Sequence, residues 1–271
     1  MTYSGFLVRF LLIPMIVMGL LLWRDHRRGI VTPAYLRNLP AWVAILVHIF
    51  IALVYTTPWD NYLVATNVWY YNPDLVTGIV FGYVPIEEYT FFVVETVLAG
   101  LWWWFLSRRL SPPATEFRSN KKLVQVSSIA LVVVWVFFTY LFFSDNGSMT
   151  YLSITLFWAL PAILPQLLFG ADILWHFRKL VFWAIMVPRT YLSLMDIVAL
   201  QDTTWSNSPS QTTGILFFGI LPLEVVVFFF ITNVLITFGM TLLLANVSEG
   251  RVAEIKKQLR ELKKKRMFHP Q

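Results

Sequence analysis

The sequence predicts an all-α integral membrane protein with seven transmembrane helices, built as two parallel three-helix repeats joined by a linker helix. Three observations carry this reading. Hydrophobic residues make up 58% of the 271 positions and charged residues only 13%, with a mean hydropathy of +0.65, a composition of polytopic membrane proteins. Seven apolar stretches have roughly the length that a hydrocarbon core of about 30 Å requires. One polar signature also occurs twice, with Tyr55, Asp60, Trp69, Pro73, Thr77, Gly78, Ile79, Pro85 and Glu87 answered by Tyr191, Asp196, Trp205, Pro209, Thr213, Gly214, Ile215, Pro222 and Glu224. From tyrosine to isoleucine every spacing agrees, and one extra residue then precedes the second proline. Apolar helices share Leu and Phe by chance, but matched Asp, Trp, Pro and Glu report a duplication.

Residues 1–106 form repeat one, with spans expected at about 6–23, 41–57 and 78–106. The first stretch follows few charges and lacks a small-residue cleavage site, so it reads as a span and not a signal peptide. Residues 107–149 hold the linker and the fourth span, about 123–143. Three crossings reverse the chain, so two repeats of like orientation need this extra one. Residues 150–246 form repeat two, with spans at about 150–170, 180–200 and 213–246. Pro14 and Pro165 are candidate equivalents in the first helix of each repeat. Residues 247–271 form a basic tail in which Val252, Ile255, Leu259 and Leu262 recur at helical spacing. An amphipathic helix on anionic lipid and a solvated tail are both consistent with that pattern.

All but Arg9 and Arg189 of the 21 Lys and Arg residues fall in segments 24–40, 107–122 and 171–179 and in the tail. Connections 58–77, 144–149 and 201–212 carry none. The positive-inside rule makes the basic side cytoplasmic. A multi-pass cell-membrane protein follows, with its N-terminus outside and its C-terminus in the cytoplasm. The net charge of +6 then reflects topology and lipid contact, and no nucleic-acid partner is expected. Absence of cysteine excludes disulfides, thiolate nucleophiles and cysteine metal sites. The four histidines lack ligand spacing, and no Gly-x-Gly-x-x-Gly follows a strand, so neither a metal nor a cofactor is expected.

Glu87 and Glu224 head the candidates for chemistry. If the third helix of each repeat starts at Gly78 or Gly214, these acids lie roughly 14 Å deeper, near mid-membrane. A carboxylate there costs about 2.5 kcal/mol or more, and a carboxylic acid kept neutral in an apolar pocket can serve as a general acid. Pro85 and Pro222, two residues earlier, are expected to kink those helices. Glu88 and Glu95 occur in repeat one only and share a helix face; Val225 and Thr232 stand at the matching positions. Asp60 and Asp196 are expected to end the second helix of each repeat, where capping and chemistry are both open readings. Trp69 and Trp205, each nine residues after an aspartate, read either as interfacial anchors or as site lining. Arg189 lies seven residues before Asp196 and is expected to pair with it. Phe91, Phe92, Phe228 and Phe229 stand at matched places, and aromatic faces can stabilise a cation. Acids among aromatics suit protonation of a carbon–carbon double bond followed by carbocation rearrangement.

The stretches Pro58-Trp59-Asp60-Asn61-Tyr62-Leu63, Gly82-Tyr83-Val84-Pro85-Ile86-Glu87-Glu88-Tyr89 and Leu221-Pro222-Leu223-Glu224 resemble the membrane-integral lycopene cyclase family. The likeness covers about residues 3–245, in the manner of the fused form of the two-subunit bacterial enzymes and of the cyclase domain of the fungal bifunctional ones. It implies redox-neutral closure of the linear ψ-ends of lycopene into β-rings. It also implies roles for Glu87, Glu88, Glu224, Asp60 and Asn61. Glu95 joins the catalytic candidates. Asn61, Asp196, Trp69, Trp205, Phe91, Phe92, Phe228, Tyr55 and Tyr191 are the candidates for substrate contact. The family shows a second acid after the repeat-two Pro-x-Glu, where this chain has Val225. Expected partners are a lipid-soluble carotenoid, membrane lipid and other enzymes of carotenoid synthesis. A carotenoid hydratase and a small proton-coupled transporter are the alternative readings. A retinal receptor is excluded because no lysine occurs between Lys179 and Lys256. Magnesium-dependent prenyl transfer is poorly served by isolated aspartates.

Overall fold

The computed structural model describes residues 1–144 and 147–268. Among these, seven helices are long and apolar enough to cross a membrane. They are α1 (Tyr3–Arg27), α2 (Ala41–Ala65), α3 (Ile86–Ser107), α4 (Lys121–Phe143), α5 (Thr150–His176), α6 (Arg178–Gln201) and α7 (Leu223–Leu244). Each expected span falls on one of them. The tail forms a further helix, α8 (Val247–Phe268), with Val252, Ile255 and Leu259 exposed. Residues 145–146, inside the expected 144–149 connection, lie outside the described residues.

Local chemistry explains the irregular points. Thr2 caps α1 by accepting from the Gly5 amide at 3.2 Å. A π-helical turn occupies Val8–Leu12, and Pro14 beyond it has no N–H to offer the Phe10 carbonyl. Tyr191 Oη supplies that donor from α6 at 2.8 Å. In α5, Pro161 likewise leaves the Phe157 carbonyl without its helical donor, and Trp135 Nε1 of α4 takes it at 3.1 Å. α4 is otherwise mostly exposed along its length, as a linker helix lying against α5 would be.

The polar signature folds alike in both halves. After α2 and α6 come β1 (Trp69–Tyr71) and β4 (Trp205–Asn207), which pair antiparallel. Tyr70 faces Ser206, and these are themselves equivalent positions, so the pseudo-two-fold axis passes between them. Small hairpins follow: β2 (Val80–Phe81) with β3 (Val84–Pro85), and β5 (Leu216–Phe217) with β6 (Leu221–Pro222). The extra residue of repeat two lengthens its hairpin turn.

These hairpins correct three expectations. Helices α3 and α7 begin at Ile86 and Leu223, not at Gly78 and Gly214. Pro85 and Pro222 are therefore N-cap residues in extended conformation, not kinks within a helix. Glu87 and Glu224 lie in the first turn of their helices, far short of mid-depth. Glu95, nine residues past Ile86, takes the mid-depth position instead, roughly 14 Å along α3. A fourth correction concerns the aspartates. α2 runs on to Ala65 through Pro58, and α6 to Gln201, so Asp60 and Asp196 lie inside helices and cap nothing.

The two repeats interlock. Tyr55 Oη of α2 donates to the Trp158 carbonyl of α5 at 2.7 Å, and Trp158 Nε1 returns a bond to the Tyr55 carbonyl at 3.2 Å. The equivalent Tyr191 of α6 reaches α1. Each second helix thus holds the first helix of the other repeat. Close approach is set by glycine: a Cβ at Gly239 would lie 2.0 Å from His48 Nε2, and one at Gly100 would lie 2.6 Å from Ile45 Cγ1. At the Arg-rich end, the ion pairs Asp25–Arg109 and Asp172–Arg251 close the bundle, each at 2.7 Å.

Candidate functional site

Glu87 and Glu224 perform the same local task. Glu87 Oε1 accepts from the Thr77 amide, and Glu224 Oε1 from the Thr213 amide, both at 2.6 Å. Each carboxyl ties the approach to its hairpin onto the first turn of the following helix. The second oxygen of each is buried without a hydrogen-bond partner. Asn61 secures the same hairpin in repeat one. Its Oδ1 accepts from the Tyr83 amide at 2.8 Å, and its Nδ2 donates to Tyr89 Oη at 3.0 Å.

Glu88 faces inward. Its Oε2 accepts a short hydrogen bond from Tyr3 Oη. A space of about 50 Å³ beside it is lined by Tyr3, Trp69, Tyr71, Phe91, Tyr151, Asp196, Trp205, Val225, Phe228 and Phe229, among others. The rings form a box. Tyr3 stacks on Tyr71 at 6.0 Å and leans on Trp205 at 4.8 Å, and Trp69 meets Tyr151 edge-on at 5.4 Å. Trp205 Nε1 donates to Asp196 Oδ1 at 3.0 Å. The matching Asp60 and Trp69 stop short of that geometry, so both Asp60 oxygens and the Trp69 N–H are buried without partners. Tyr71 lies in the extramembrane strand β1. Burial, with the Asp60 and Glu88 carboxyls nearby, pushes its phenol well above the usual value and keeps it a donor.

A second and larger space, about 360 Å³, lies past Phe228, which lines both. Its walls include Ala52, Tyr55, Phe92, Glu95, Trp158, Ala162, Gln166 and Thr232. Thr232 Oγ1 donates to Glu95 Oε1 at 3.1 Å. Glu88 and Glu95 are thus the two buried acids of α3 that face the interior spaces, one on each side of Phe228. The larger space is in the size range of small-molecule cavities; the smaller has room for about one water.

The structure brings Glu88, Asp196, Trp69, Trp205, Phe91 and Phe228 around one space, and Glu95, Tyr55, Phe92 and Phe228 around the other. Asp60 is fully buried in the same region, near Tyr71, but does not line either space. Glu87, Glu224 and Asn61 hold the hairpins, and Tyr191 bonds the Phe10 carbonyl. Arg189 does not pair with Asp196; its guanidinium lies 5.6 Å from the Phe230 ring, and Asp196 is held by Trp205. Sequence reasoning missed Tyr3 and Tyr151, the two fully buried phenols over Glu88. A signal for them exists: Met-Thr-Tyr occurs at residues 1–3 and again at 149–151.

An aromatic box with a buried acid, lacking any cluster of metal-binding side chains among the described residues, is equipped for proton-initiated chemistry on an apolar substrate. Comparison with known proteins points the same way. The chain is 38% identical over 192 residues to a lycopene beta-cyclase of Halobacterium salinarum, covering 71% of this chain and 78% of that protein. It is 33% identical over 198 residues to a bifunctional lycopene cyclase/phytoene synthase of Podospora anserina, and 31% over 201 residues to one of Aspergillus oryzae. Those matches cover 71% and 73% of this chain but only 33% and 34% of the fungal proteins. No family model matches the chain. No solved structure matches it. On the archaeal match, the chain belongs to the lycopene beta-cyclase family.

Proposed function

We propose that this protein closes β-rings on the ψ-ends of lycopene, with Glu88 as the proton donor. The observation that carries the assignment is the setting of Glu88: a buried carboxyl bonded to Tyr3 and enclosed by eight aromatic and apolar side chains that include Phe228. The ψ-end is larger than the single water for which the Glu88 box has room, so Phe228, which lines both spaces, turns aside to admit it. Protonation of the terminal double bond then gives a tertiary cation. The next double bond captures it and closes the ring. Loss of a ring proton then leaves the new double bond. No redox step occurs, so no cofactor is needed. The π faces of Tyr3, Trp69, Trp205 and Phe228 stabilise the cation, together with the Glu88 carboxylate that proton transfer leaves behind. Glu95, on the far side of Phe228, is suited to receive the departing proton, and Thr232 orients it. Like charge on the nearby acids Asp60 and Asp196 disfavours ionised Glu88 and so favours its proton-bearing form. The cycle closes when the proton taken up by Glu95 returns to Glu88.

Repeat two offers Val225 and Thr232 where repeat one offers Glu88 and Glu95. One active centre therefore serves both substrate ends in turn. The seven apolar helices make this a membrane protein. Lysine and arginine placement supports an N-terminus outside and a cytoplasmic C-terminus. Expression in lycopene-accumulating cells tests the function. Cyclic carotenoids support it, and hydroxylated linear products would favour a hydratase.

A further inference from the structure

We infer that the polyene enters sideways from the bilayer between α2 and α5, and that the larger space past Phe228 is the seat of its chain during ring closure. This deepens, and rests on, the reading of Glu88 as the reaction centre. Four helices contribute their middle turns to that space: His48–Thr56 of α2, Phe92–Thr96 of α3, Trp158–Gln166 of α5 and Phe228–Ile236 of α7. It therefore lies at the depth where a hydrocarbon chain resides in a bilayer. Its outer rim consists of side chains that are themselves turned to the lipid. Ile51 is 49% exposed and Tyr55 37%, although both line the space. Across the gap stand Ala162 and Pro165, small and apolar. The Tyr55–Trp158 pair of hydrogen bonds forms its upper edge.

The occupant follows from continuity. The space is apolar apart from a few groups, it opens at the lipid-facing rim, and it ends on Phe228, the ring shared with the Glu88 box. A lipid acyl chain has the same surface chemistry but has nothing to deliver to Glu88. Pseudo-symmetry would place a second entrance between α6 and α1. There the smaller Ala52 and Thr56 give way to the bulkier Pro188 and Leu192. Entry is thus one-sided, as a single reaction centre requires.

The test uses Ala162→Phe and Ala52→Phe, which fill the seat from opposite walls. Ile129→Phe on the lipid-exposed surface of α4 is the control. Each is made in the wild-type protein and in Glu88→Gln, expressed in lycopene-accumulating cells, and purified in nanodiscs. Carotenoid bound per protein is read by absorbance, and bound lipid by mass spectrometry. Both filling variants should lower bound carotenoid at least tenfold in the Glu88→Gln background and lower turnover in the active background. The control should do neither. Unchanged carotenoid and turnover, or loss of bound lipid alone, would overturn the proposal. Failure of the catalytic reading is separately visible, because Glu88→Gln would then still cyclise while the binding comparison stands. If one filling variant does not fold, the variant on the opposite wall decides.

Discussion

Glu95 and Thr232 occupy equivalent positions of the two repeats, and they meet: Thr232 Oγ1 donates to Glu95 Oε1 at 3.1 Å. A symmetric ancestor would place like residues against each other there. In this chain one partner is an acid and the other a hydroxyl that donates to it. On the proposed mechanism, the same difference at Glu88 and Val225 gives repeat one the proton chemistry and leaves repeat two as the opposing wall.

The hairpin carboxyls should be separable from the chemistry. Glu87→Ala and Glu224→Ala each remove the acceptor of a part-buried backbone amide. A typical intramolecular hydrogen bond contributes about 0.5–1.5 kcal/mol, so each variant should lose thermal stability in detergent. Glu87→Gln and Glu224→Gln keep an acceptor oxygen for Thr77 and Thr213. They should stay closer to wild type in stability and retain most cyclisation. Pigment conversion normalised to folded protein distinguishes the two effects.

The turn at Gly82 offers a second test. Its φ is +68°, and a Cβ there would come within 2.1 Å of Asn61 Oδ1. Gly78 has φ +79° with open space around it. Gly78→Ala should therefore cost about 1–2 kcal/mol for the left-handed backbone alone, and Gly82→Ala clearly more. Asn61→Ala in the Gly82→Ala background should recover part of the difference. Thermal denaturation of the four proteins measures it.

Much of this was legible in the sequence. The seven spans, the duplication and the acid-rich repeat all followed from hydropathy and matched polar residues. The hairpins did not, because Gly78–Pro85 reads as a continuation of an apolar helix. The glycines with positive φ, Gly78 and Gly82, together with Pro85 directly before the helix, were the available sign. Missing the hairpin put Glu87 at mid-depth and drew attention from Glu88. Adjacent acids point to different sides of a helix, and periodicity alone could not assign the inner one. Tyr3 and Tyr151 escaped because the connection after the first helix is longer in repeat one, which shifts them out of the spacing shared by Tyr55 and Tyr191.

Topology is checked by single-cysteine labelling, which is clean because the chain has no native cysteine. Asp74→Cys and Ser111→Cys place thiols at exposed positions in connections on opposite sides. The membrane-impermeant reagent should label position 74 in intact cells and position 111 only after permeabilisation. The reverse pattern would overturn the orientation proposed from charge.

The most direct test of the account is the β-ring content of pigments formed by Glu88→Gln in lycopene-accumulating cells at matched levels of folded protein. Gln preserves shape and can accept from Tyr3, but has no acidic proton to give. Loss of a general acid costs on the order of 10²–10⁴-fold. The account predicts that lycopene remains and that both the first and the second ring closure fail together. Near-normal bicyclic product would contradict the role of Glu88. Accumulation of monocyclic product at an undiminished rate would contradict the single centre.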